Sequence, residues 1–190
     1  MKTNLLTAVS IAVLSAALST ANAADFNYNY IEGSFQDIDL NGVDSEAVNF
    51  SGSFEIAPSL NIIAGYSNGE ITTPRGFRDI DFDSMSLGLG YHAPIGDNTD
   101  LTANLKVINQ DMDFIGDDTG YGVGVGIRHQ VSDVVEIGTR IDYADVYDAD
   151  DTTFQVNSRF FLNDATSLGL SFSTSAEEVD VLSAGVRFNF

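Results

Sequence analysis

Glu32, Glu55, Lys106, Arg128, Glu136, Arg140, Asp142, Arg159 and Arg187 stand where a period of two would put them on one side of extended segments. Cations and carboxylates sharing a face offer ion pairs rather than a reaction, because a buried charge is tolerable when an opposite charge neutralises it. Acid–base or nucleophilic chemistry would need more. His92 in GYHAPIG and His129 in GIRHQVSD each lie beside a short turn, away from the rim that would face outward, and no Ser–His–carboxylate set can be assembled from neighbouring strands near that rim. The other chemistry on offer is that of oxygen ligands. DIDFD (Asp79, Asp81, Asp83) and DADD (Asp148, Asp150, Asp151) cluster carboxylates suited to calcium or magnesium. Neither has the D-x-[DN]-x-[DN]-G-x₅-E spacing of a dedicated calcium loop. The reading is against an enzyme and against a resident cofactor, with Ca²⁺ or Mg²⁺ at these loops as the one metal expectation.

The elements that must position these residues are strands. Segments of ten to thirteen residues alternate apolar with small or polar, and turn-forming residues separate them. They predict strands over 27–37, 46–57, 60–70, 82–93, 100–110, 119–131, 134–146, 152–163, 166–176 and 179–190, ten in all, with eight as the alternative count. One face carries large apolar residues, as in Val48, Phe50, Phe54 and Ile56 or Met85, Leu87, Leu89 and Tyr91. The other carries Gly88, Gly90, Gly122, Gly124, Gly126, Gly169 and Gly185, with serine, asparagine and the charges. Short connections such as APSLN (57–61) and NDATS (163–167) alternate with longer acidic ones such as DIDLNGVDSE (37–46) and GEITTPRGFRDIDFD (69–83). Short turns on one rim and longer loops on the other are typical of a barrel that crosses an outer membrane.

Composition narrows the setting. MKTNLLTAVSIAVLSAALSTANA has a basic start at Lys2, an apolar run and an Ala-Asn-Ala end, the layout of a secretory signal peptide over residues 1–23. That leaves 24–190 as one barrel domain. The chain has no cysteine for a disulfide framework, and 8 basic residues against 28 acidic give a net charge of −20. Such a surface repels nucleic acid phosphates.

Two architectures share the alternation. A soluble barrel turns its apolar face inward, whereas a membrane barrel turns it to lipid. The glycines favour the second, since they leave room inside for long Arg and Glu side chains, whereas on a solvent face they would only weaken a strand. With no Trp in the chain, Tyr and Phe must form the interfacial girdles. The expectation is an all-β, closed antiparallel transmembrane barrel whose lumen holds the charged residues as a plugging network.

The stretches YNYIEGSF (28–35) and DIDFDSMSLGLGYHAPIGDNTDL (79–101) resemble those of small proteobacterial outer-membrane barrels, among them proteins described as an outer-membrane quorum or immunity-eliciting factor, and more loosely the OmpA/OmpX type. The resemblance covers most of the chain after residue 23 and implies a Gram-negative cell outer membrane. The terminal VRFNF resembles the aromatic-ended signal read by the barrel-assembly machinery, which implies an assembly role for Phe188 and Phe190. The partners implied are outer-membrane lipid, lipopolysaccharide and that machinery. The function expected is a non-enzymatic barrel with acidic surface loops and a structural or surface-interaction role. The alternatives are a narrow passive pore and a soluble secreted barrel binding an apolar ligand.

Overall fold

A computed structural model of the chain describes residues 26–40, 42–71, 79–147, 149–176 and 179–190. The expected signal peptide lies outside them, as does Asp148. Ten strands follow in order: β1 (Tyr30–Leu40), β2 (Asp44–Ala57), β3 (Leu60–Ile71), β4 (Ile80–Gly96), β5 (Thr99–Met112), β6 (Gly116–Ser132), β7 (Val135–Val146), β8 (Ala149–Asn163), β9 (Thr166–Ser175) and β10 (Val179–Asn189). Each pairs antiparallel with the next, and β1 pairs with β10 from Tyr30↔Asn189 to Leu40↔Val179, so the sheet closes without an edge.

Local chemistry explains the strands and their ends. Branched and aromatic residues at alternate positions suit a pleated surface exposed on one side. At one rim two-residue turns such as Pro58-Ser59 and Asp164-Ala165 join consecutive strands. At the other rim Gly42 (φ +84°) and Gly116 (φ +94°) adopt the left-handed conformation that glycine tolerates without steric cost.

The sidedness is that of a membrane barrel. Arg128 and Arg187 are 1% and 0% exposed, whereas Val123 and Phe188 are 39% and 52% exposed. The exposed apolar belt includes Phe50, Leu87, Leu105, Val125, Leu170 and Val186. A soluble barrel with an apolar interior is thereby overturned at this level: a belt of this kind in water would carry a large hydration cost.

The strands also correct the expected loops. They run from 10 residues in β9 to 17 in β4 and β6, and roughly 9–11 tilted residues suffice to cross the hydrocarbon. The surplus extends into the acidic segments. β1 continues to Leu40, β5 to Met112, and β4 begins at Ile80. Within this extension the polarity reverses. Ile38, Leu40, Ile71, Phe82, Met112 and Val181 are buried inside, while Asp37, Asp39, Glu46, Glu70, Asp81, Asp111 and Asp180 face out. Water replaces lipid outside the barrel there, so the apolar side chains gain only by turning inward. The barrel has two storeys, apolar outside below and apolar inside above.

Candidate functional site

The lower storey holds the charged residues. Arg128 on β6 and Glu136 on β7 form a two-point pair, Nε to Oε1 at 2.9 Å and Nη2 to Oε2 at 2.7 Å, with both side chains buried. That geometry matches the planar guanidinium to the carboxylate. Arg140 and Asp142, two residues apart on β7 and so on the same face, meet at 2.6 Å. Glu32 on β1 receives two guanidiniums on its Oε2: Arg187 of neighbouring β10, Nε at 2.6 Å, and Arg159 of β8, Nη2 at 3.0 Å.

Arg159 reaches Glu32 across two intervening strands, and the glycines there make the crossing feasible. A β-carbon at Gly169 on β9 would stand 3.4 Å from the Arg159 guanidinium, and one at Gly185 on β10 would stand 3.3 Å from Glu32 Oε1. Gly124 plays the same part elsewhere: a side chain on it would collide with the Asp142 carboxylate and crowd Arg140 Nη2.

Two members of the expected network stand apart. Lys106 is 3% exposed and feels Arg140 and Asp142 electrostatically, yet it forms no salt bridge within 4 Å among the described residues. Glu55 sits half-buried at the lower mouth, where its backbone N–H donates to Asn29 Oδ1 at 2.8 Å, and no arginine is paired with it among the described residues.

The mouth itself is filled by the segment before β1, which starts at Tyr30 rather than at the expected residue 27. Tyr28 is buried, stacks on His92 with centroids 3.5 Å apart, and donates its hydroxyl to Asp100 at 2.8 Å. Phe26 lies 4.6 Å from the Arg128 guanidinium and Tyr30 lies 3.6 Å from that of Arg187. A cation over an aromatic face is attracted by the ring quadrupole. Burial, the largest effect, and the Asp100 carboxylate push the Tyr28 hydroxyl pKa up, which keeps it a donor. The alternation of Tyr28, Tyr30 and Glu32 was the available signal for these inward rings. His129 instead faces out, where its Nδ1 meets Thr99 Oγ1 at 2.9 Å.

Among the described residues, the carboxylates expected to hold calcium or magnesium do not form one group, and Asp148 lies outside those residues. Asp81 and Asp83 face outward, and Asp83 accepts hydrogen bonds from Tyr66 Oη at 2.5 Å and Asn68 Nδ2 at 3.1 Å. Asp79 lies just ahead of β4. Asp150 faces out and Asp151 in, because adjacent residues of a strand point to opposite faces. No group of three or more potential metal ligands occurs among the described residues. Phe188 and Phe190 face outward at the lower rim, and the Phe190 N–H donates to Asn29 O at 3.1 Å.

A closed ten-strand barrel with a lipid-facing belt, a charged lower lumen and an apolar upper lumen defines a transmembrane β-barrel of the outer-membrane type. Residues 6–190 match the family described as outer membrane protein beta-barrel domain, and the chain belongs to that family. No match was found among curated proteins.

Among solved structures, the KdgM porin in complex with disordered oligogalacturonate is 12% identical with a TM-score of 0.55, over 85% of this chain and 99% of that one. An outer-membrane channel from Pseudomonas putida F1 is 10% identical with a TM-score of 0.52, over 92% and 100%. The beta domain of the Bordetella autotransporter BrkA is 11% identical with a TM-score of 0.51, over 85% and 99%. At such identities the likeness is one of fold. The family description carries no quorum or immunity-eliciting role, and that expectation gains no support.

Proposed function

We propose that this chain is a non-enzymatic outer-membrane barrel with a closed lumen that presents an acidic crown above the bilayer for a structural or surface-interaction role. The observation that carries the reading is the filling of the lumen at both ends. Ile38, Leu40, Ile71, Phe82, Met112 and Val181 pack together in the upper storey, and Phe26 and Tyr28 cover Arg128 and His92 below. Ten strands enclose little space, whereas roughly sixteen leave an aqueous channel. In this reading the belt meets lipid and lipopolysaccharide, and Phe188 and Phe190 serve recognition by the assembly machinery after export.

A second reading is a narrow passive pore, favoured by the fold shared with the KdgM porin and the Pseudomonas putida channel. In it the apolar upper layer would be a constriction that gates by dewetting. Single-channel recording in planar bilayers separates the two. The closed barrel gives no unitary steps, and Phe82→Ser combined with Met112→Ser introduces them. Steps from the native chain would establish the pore instead.

A further inference from the structure

The charges of the lower storey do not balance locally. Arg159 and Arg187 share the single carboxylate of Glu32, and their contacts converge on one oxygen, Oε2. Both guanidiniums are almost wholly buried, at 4% and 0% exposure. Arg159 spends Nη2 on Glu32 and Nη1 on Ser167 Oγ at 3.3 Å, while its Nε–H has no partner among the described residues. One positive charge is therefore in excess within the cluster.

A cavity of about 30 Å³ adjoins this excess. It is lined by Arg159, Ser34, Ser171 and Ser183 among others, and Glu32 is the one acidic residue in its wall. Ser183 Oγ is buried and likewise lacks a hydrogen-bond partner among the described residues. The space exceeds the roughly 10–15 Å³ that a single water needs, so a monatomic ion fits and an oligosaccharide does not. Gly169 and Gly185 complete the wall without side chains.

We propose that the cavity beside Arg159 binds one small monovalent anion of chloride size, held by the unpaired Nε–H of Arg159 and the hydroxyl of Ser183. The guanidinium supplies charge and a directed donor, and serine hydroxyls complete the shell as neutral donors. The anion neutralises the second cation on Glu32, removing the penalty of an uncompensated buried charge. The proposal concerns the wall of the lumen and stands apart from whether the barrel conducts.

The refolded full barrel in a zwitterionic detergent tests it, comparing sodium chloride with sodium gluconate at equal ionic strength. The temperature at which the compact, heat-modifiable band is lost should rise saturably with chloride, by roughly 3–6 °C at about ten times the dissociation constant. Gluconate, too large for the cavity, should give no such rise. Arg159→Met removes the excess charge and Ser183→Val fills the cavity, and each should abolish the chloride dependence. Equal behaviour in the two salts, or a chloride effect that survives in both variants, overturns the proposal. Should neither variant fold, bromide-soaked crystals of the native chain decide. Anomalous density against the Arg159 guanidinium supports the site; its absence there refutes it.

Discussion

Buried charge dominates at the scale of single residues. Arg128 and Glu136 satisfy one another at two points, and both side chains are buried. Glu136→Gln should cost on the order of 3–5 kcal/mol, because it leaves a guanidinium uncompensated, whereas a double replacement by apolar residues of similar size should cost much less. Urea-driven unfolding in vesicles, followed by tyrosine fluorescence, measures the difference.

Tyr147, in the turn between β7 and β8, gives the pH dependence. Its single hydroxyl hydrogen lies between two carbonyl acceptors, Gly116 O at 2.6 Å and Gln110 O at 2.9 Å. Burial, then Asp111, Asp118 and Asp117, raise its pKa from 10.0 to about 12. A group with a raised folded pKa contributes stability that is fully present below its unfolded value and is lost as pH rises through the folded one. The turn should therefore hold to about pH 10 and loosen between pH 10 and 12. Ultraviolet titration should show a late-ionising group of tyrosines, and Tyr147→Phe should lower its amplitude by one tyrosine.

At the scale of the strand, the position along its length decides what an outward residue must be. Leu170 faces lipid midway along the belt, so Leu170→Lys should destabilise the barrel by about 2–4 kcal/mol, whereas Asp37→Lys, outward on the upper extension, should change stability by less than about 1 kcal/mol. Equal effects would show that the upper extension lies within the hydrocarbon. On the inner face the limiting quantity is room. Gly124→Val should expel Arg140 or Asp142 from their pairing and lower yields of folded barrel on refolding from urea, while Val125→Leu next to it, facing lipid, should refold as the native chain does.

The extension was legible in DIDL (37–40) and DIDFD (79–83), which alternate as strands do with acid in place of the lipid-facing residue. Acid density made them read as loops. The alternation was the stronger signal, because a strand keeps its period when the solvent outside it changes.

For the whole molecule, the alternation and turn residues determined the ten antiparallel strands and the face that meets lipid, since both are local properties set by a two-residue repeat and by backbone preferences at the turns. Glycine, serine and charge on the opposite face also determined that the arginines would lie inside. Only the closed barrel decided which of them meet. Arg159 finds Glu32 127 residues away across β9 and β10, while Lys106 and Glu55, equally eligible by period, form no salt bridge with an opposite charge among the described residues. Contacts across a lumen depend on strand tilt and stagger, which are collective properties of the closed sheet. The upper core has the same origin: Phe82 and Met112 are already partners on β4 and β5, but Ile38 and Val181 meet one another only where β1 is joined to β10, and the closed sheet packs all four together.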